Sequence, residues 1–123
     1  HGVIIPKRRS VGLTATVAKA SAGAVEYMKV ARVTNISAAI GELKEKGVWV
    51  FGTAAEGSIP MYQADLSGPT AIVIGNEGAG LSQLVRKNCD VMVNIPMRGR
   101  ISSLNASAAA SILLYEALRQ RLG

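Results

Sequence analysis

Cysteine, histidine and aromatic residues are scarce in this chain, which has one Cys, one His, one Trp and one Phe among 123 residues. A single thiol excludes an intrachain disulfide and suits a reducing compartment. Cys89 lies between a polar helix end and an apolar segment, a place that reads as core. Thiol–imidazole catalysis needs a histidine beside the cysteine, and the sole histidine is His1, so that chemistry is set aside. The same scarcity argues against a metal site, and above all against zinc, which needs several thiolate or imidazole ligands. Long apolar runs are missing too. The C-terminal stretch rich in Ala and Leu is interrupted by Ser107, Ser111, Glu116 and Arg119, so no membrane span is expected. The opening His-Gly-Val-Ile-Ile-Pro is too short for a signal peptide and lacks a small-residue cleavage site, and a cytoplasmic protein is expected.

What is present is 49% apolar residues, dominated by Val, Ile, Leu and Ala. That composition suits one domain with one core, built on a sheet buried under close-packed helices. Fourteen Lys and Arg against eight Asp and Glu leave a net charge of +6. Such a balance favours a polyanionic partner, RNA among them, and equally keeps a protein soluble. Composition leaves both readings open.

Strand and helix signals alternate along the chain. Val3–Ile5 reads as a buried strand stopped by Pro6, and residues 13–22 as a short helix ended by Gly23,. Met28–Thr34 reads as a second strand, with Lys29 and Arg32 more exposed than Val30 and Val33. Asn35 is placed to cap a helix running to Lys46, with Ile36, Ile40 and Leu43 on one face and Gly47 as its stop,. Further strands are expected at 48–51, 70–75 and 91–95, a short helix at 82–88 and a closing helix at 105–122. This βαβα rhythm predicts an α/β fold with a parallel sheet and helices on both faces, whose ligands sit at the carboxyl ends of the strands. Residues 53–69 form the longest irregular segment, for which a ligand-covering role is expected,.

Three segments converge on that carboxyl edge. The first is Ala71-Ile-Val-Ile-Gly-Asn-Glu-Gly-Ala-Gly-Leu81, the second Val91-Met-Val-Asn-Ile-Pro-Met97, and the third Ile101-Ser-Ser-Leu-Asn-Ala-Ser107. Gly75, Gly78 and Gly80 are spaced neither as a dinucleotide fingerprint nor as a phosphate loop, which would carry a lysine,. The nearest acid, Asp90, precedes a strand instead of ending one. On residue chemistry alone the glycines serve either a tight turn or a ligand, and Glu77 is either a helix-dipole partner or an orienting carboxylate. Ser102, Ser103, Asn105 and Ser107 exceed what one helix cap requires,, and with Leu104 they suit a nucleoside pocket. Arg98 and Arg100 are either solvated or phosphate contacts.

These segments resemble, in content and order, the second and third motifs of the SpoU (TrmH-like) RNA ribose 2′-O-methyltransferases. The likeness extends to Gly2–Pro6, Arg9-Ser10, the run Ala20–Ala24, Val33-Thr-Asn35 and Trp49–Thr53. It is nearest to the bacterial enzymes acting on a guanosine of 23S rRNA. The resemblance implies a SPOUT-type α/β knot, with a C-terminal trefoil holding the cofactor, and a homodimer. It implies S-adenosyl-L-methionine as cofactor, held by Gly52, Thr53, Gly75, Gly78, Ile95, Met97 and Leu104, largely through backbone groups. Glu77, Ser103 and Asn105 would organise the reacting centre, and Arg8, Arg9, Arg98 and Arg100 would meet RNA. The family's first motif, Asn-x-Gly leading to a catalytic arginine, does not occur in the sequence. Residues 1–123 are therefore read as the methyltransferase catalytic domain lacking its first strand–helix unit, with independent activity in doubt. A tRNA ribose methyltransferase and a non-catalytic RNA-binding module are the alternatives. A doubly wound NAD oxidoreductase is disfavoured by the glycine spacing.

Overall fold

The computed structural model describes residues 1–6, 29–75, 80–98 and 105–123. The chain divides into two compact units, residues 1–39 and residues 40–123. In the first, β1 (Gly2–Pro6) and β2 (Lys29–Val33) form a parallel pair with Val3 opposite Val30 and Ile5 opposite Arg32. Val3 and Ile4 are 44% and 40% exposed, against the expectation of a buried strand. The reason is topological, since among the described residues β1 is hydrogen-bonded to β2 alone. The helix expected at 13–22 lies outside the described residues.

Helix α1 (Ile36–Glu45) is fixed at both ends by local chemistry. Asn35 Oδ1 accepts from the Ala38 amide at 3.1 Å, the expected N-cap,. At the other end Gly47 adopts φ +84°. Its N–H donates to Lys44 O and that of Val48 to Leu43 O, each at 3.0 Å. This paired closure needs a left-handed residue, which glycine adopts without steric cost.

The second unit carries a four-stranded parallel sheet in the order β4 (Ile59–Pro60), β6 (Val91–Asn94), β3 (Trp49–Thr53), β5 (Thr70–Val73). Helix α2 (Gln83–Asn88) precedes β6, and α3 (Ala106–Leu122) closes the chain. Position in this order decides burial. Val50, Phe51 and Gly52 of central β3 and Val93 of β6 are buried, whereas edge strand β5 is half-buried throughout and ends at Val73.

The segment 53–69 is less irregular than expected. Pro60 pairs with Asn94 in edge strand β4, a place where its missing N–H is tolerated. A 3₁₀ turn follows at Met61–Gln63, and Ala64 and Leu66 enter the core beside Phe51, Val93, Leu113 and Ala117. Two residues of the expected ligand cover are thus core, because Ala64 and Leu66 supply apolar surface facing α3. Gln120 fastens it. Its Nε2 donates to Ala64 O at 3.0 Å and its Oε1 accepts from the Leu66 amide at 2.7 Å, so one side-chain amide completes the backbone of a buried turn. Gln120 also donates to Glu116 Oε2 at 2.9 Å, and Arg119 meets both Glu116 oxygens at 2.7 and 2.8 Å. These bonds to its charged form hold the otherwise buried Glu116 carboxyl down to about 2.

Gln120→Ala leaves the Leu66 amide and Ala64 carbonyl unpaired, and is expected to cost roughly 1–3 kcal/mol in urea unfolding. The Glu116 carboxyl, ordinarily near 4.5, titrates lower in the folded chain. Its contribution to stability is therefore complete above the ordinary value and is lost as pH falls through about 2,. Unfolding curves across that window should flatten in Glu116→Gln relative to the parent chain.

Candidate active site

The sheet has two chemically distinct ends. At the amino end Val50 and Asp90 are clasped: the Val50 amide donates to Asp90 Oδ2 at 2.7 Å and the Asp90 amide to Val50 O at 2.8 Å. Lys44 Nζ lies 3.5 Å from Asp90 Oδ1 and donates to Asn88 O. Asp90 is therefore structural. Cys89 donates from Sγ to Val85 O at 3.3 Å, and its thiol is pushed up by burial first and by Asp90 second. That leaves the thiol un-ionised near neutral pH, although Cys89 is half-buried at the margin of the core rather than inside it,.

At the carboxyl end the strand registers bring the candidate segments together. Gly52 pairs with Val73 on one side and Met92 on the other, and Thr53 pairs with Val93. Thr53 Oγ1 donates to Val73 O at 3.2 Å, joining the ends of β3 and β5. Gly75 lies two residues beyond β5, and Ile95 directly follows β6. Ile95 is packed against the core, so what it can offer a ligand is backbone. Met97 and Arg98 continue outward and are exposed.

Of the described glycines at this edge, Gly75 is required by backbone packing and Gly52 is closely packed by side chains. A Cβ at Gly52 would sit 2.8 Å from Cys89 Sγ, 2.8 Å from Met92 Sδ and 3.0 Å from Leu81 Cδ1. A Cβ at Gly75 would lie 2.5 Å from the Gly80 carbonyl carbon and 2.7 Å from Leu81 N. Leu81 thus packs against β3 with its side chain and passes the end of β5 with its backbone, and neither approach leaves room for a methyl group. A side chain at 75 would strike the chain itself before any ligand. Gly80, with φ +70°, has open space where a Cβ would be.

Residues 54–58, which follow β3, form a tied loop. The Ala54 amide donates to Val93 O at 3.1 Å, Ser58 Oγ donates to Ala54 O at 2.7 Å, and Asn94 Nδ2 donates to Ser58 Oγ at 2.9 Å. Arg86 reaches from α2 to donate through Nη2 to Glu56 O. Ser58 and Arg86 carried no distinguishing signal in the sequence, whereas Leu81 and Asn94 lie within the segments read as converging on the edge. Gly57, at φ +64°, gives the loop its turn.

Asn105 caps α3, with Oδ1 accepting from the Ala108 amide at 2.8 Å. Its Oδ1 is committed to the helix, which leaves the amide N–H groups as what it can present to a ligand. Glu77, Gly78, Arg100, Ser103 and Leu104, with Arg8 and Arg9, lie outside the described residues. No cluster of potential metal ligands occurs among the described residues, and no helix there is long and apolar enough to cross a membrane.

The described edge is neutral, made of backbone, a threonine hydroxyl and apolar side chains, with Arg98 at its outer margin. Such a surface fits a nucleoside and a thioether better than a phosphate, which requires cationic or clustered N–H donors.

Comparison with known proteins gives the same direction. A TrmH-family tRNA/rRNA methyltransferase of Bacillus subtilis is 52% identical over 98% of this chain and 49% of its own. The 23S rRNA (guanosine-2′-O-)-methyltransferase RlmB of Shewanella oneidensis is 53% identical, again over 98% of this chain and 49% of its own. The chain spans about half the length of these relatives. Among solved structures, the SpoU methyltransferase AviRb of Streptomyces viridochromogenes, in complex with the cofactor AdoMet, superposes with a TM-score of 0.90 at 34% identity, over 99% of this chain and 50% of that one. The model of the SpoU rRNA Methylase family matches residues 1–115, and this chain belongs to that family.

Proposed function

We propose that the chain transfers the methyl group of S-adenosylmethionine to a ribose 2′-hydroxyl of RNA, with a guanosine of 23S rRNA as the substrate. The observation that carries this reading is the convergence of Thr53, Gly75 and Ile95 at one neutral carboxyl edge, closed by Leu81. The nearby Shewanella relative carries this specificity in its name. A tRNA ribose is the second reading, favoured by the wider name of the Bacillus relative.

In this reading S-adenosylmethionine, when bound, supplies a methyl group activated by a sulfonium. Gly52, Thr53, Gly75, Gly78, Ile95, Met97 and Leu104 would hold it, largely through backbone groups. A ribose hydroxyl is a poor nucleophile, so alignment and proton removal govern the rate. Glu77 is the one acidic group assigned to the reacting centre. Ser103 and Asn105 orient the ribose, the latter through its amide N–H groups. Arg8, Arg9, Arg98 and Arg100 bind phosphates. The C-terminal trefoil knot, the homodimer and a cytoplasmic location belong to the same proposal. For the dimer, support comes from α3, which exposes Leu114, Tyr115, Leu118 and Leu122 on the side opposite its buried Leu113 and Ala117.

Calorimetric titration should show binding of S-adenosylhomocysteine and none of NAD. Gly75→Ala is expected to weaken that binding at least about tenfold, with a lower thermal midpoint, because its methyl group strikes the Gly80–Leu81 backbone. Gly68→Ala meets nothing within 4 Å and should change neither. Equal affinity in a folded Gly75→Ala chain would remove the cofactor from this edge.

RNA affinity is expected to fall steeply with salt. If Arg98 meets one phosphate, Arg98→Ala should reduce the slope of log affinity against log salt by about 0.7–0.9. Filter binding over a salt series reads this directly, and an unchanged slope removes Arg98 from the interface.

A further inference from the structure

Arg86 has no place in the functional reading above, yet its geometry is unusual for a helix-surface arginine. It is half-buried in α2, and among the described residues it forms no ion pair. Its guanidinium is spent on a backbone carbonyl, Glu56 O, thirty residues away. The residue after that carbonyl is Gly57, at φ +64°, where a Cβ would lie 2.6 Å from Arg86 Nη2. The guanidinium therefore lies across the face of Gly57, where the positive φ favours glycine and a side chain would have to displace the Arg86 guanidinium,.

The rest of the loop explains why this matters. Its two ends are tied to β6 by Ala54, Ser58 and Asn94. Its tip, residues 55–57, is exposed, and among the described residues Arg86 supplies its one side-chain tie. The loop leaves directly from Thr53, at the carboxyl end of central strand β3. A tip anchored at one height presents a fixed rim to anything bound at that edge. A free tip must be ordered each time a ligand binds, and the cost appears as lost affinity.

We propose that Arg86 is a positioning residue, which fixes the 54–58 loop over the carboxyl edge of the sheet and so sets the affinity for the nucleoside cofactor. The inference rests on the functional reading given above and adds to it a residue that touches neither cofactor nor RNA. The guanidinium acts through the loop backbone, as a charge-assisted bond to a carbonyl.

The test compares Arg86→Met and Arg86→Lys with Arg121→Met, which removes the same kind of bond, from Nη2 to Gly68 O, elsewhere in the unit. Each whole chain is titrated with S-adenosylhomocysteine, melted, and followed by amide hydrogen exchange. Arg86→Met should raise the dissociation constant roughly tenfold, speed exchange at residues 55–57, and keep a melting midpoint close to that of Arg121→Met. Arg86→Lys keeps one donor and should recover part of the affinity. Parent-like affinity in Arg86→Met, or unchanged exchange at the tip, overturns the proposal while the functional reading stands. A fall in affinity that follows a collapsed midpoint, without recovery in Arg86→Lys, makes Arg86 merely stabilising and also overturns it. A parent chain that binds no S-adenosylhomocysteine overturns the functional reading and this proposal with it.

Discussion

The carboxyl edge of the sheet depends on the absence of two side chains. Leu81 can pack against β3 and pass the end of β5 because positions 52 and 75 have no Cβ. At position 75 the obstructing atoms are backbone, which cannot rotate away, whereas at position 52 they are the side-chain ends of Cys89, Met92 and Leu81, which would have to shift. Around this close approach the remaining parts are arranged. The Thr53 hydroxyl bridges β3 to β5, Ile95 turns its side chain into the core, and the 54–58 loop rises from the strand between them.

The opposite side of the problem is to hold that edge still. Leu113 and Ala117 of α3 meet Leu66, Ala64 and Phe51 in the core, while Gln120 satisfies the turn that carries two of those residues. The polar triad of Glu116, Arg119 and Gln120 is built on one helix and places its hydrogen bonds beside apolar contacts. A buried carboxylate remains charged there because its hydrogen bonds from Arg119 and Gln120 outweigh the burial that opposes the charge,.

Much of this was legible in the sequence where local chemistry alone decides the outcome. Asn35, Gly47, Ser82 and Asn105 terminate helices through bonds within a few residues of themselves. The segments ending β5 and β6 were legible as apolar runs closing in small residues, whereas Gly52 and Thr53 at the end of β3 entered through the family resemblance. Burial of Val3 and Ile4 was misread because exposure depends on neighbouring strands, and a sequence does not state strand order. The segment 53–69 read as irregular because of its length without an obvious helix or strand pattern, while Leu66 and Ala64 acquire their burial from a helix fifty residues later,. Arg86 was invisible for a similar reason, since its partner is a carbonyl and carbonyls have no sequence signature.

The clasp between Val50 and Asp90 has a consequence for the far end of the sheet. Parallel strands can slide by one residue, and such a slip turns every side chain to the opposite face. A carboxylate that accepts the Val50 amide while its own amide returns a bond to Val50 admits only one register. Asp90 therefore acts as an index pin. It fixes the level at which Thr53 and Asn94 emerge, so the loops beyond them can diverge in sequence while their starting points stay aligned.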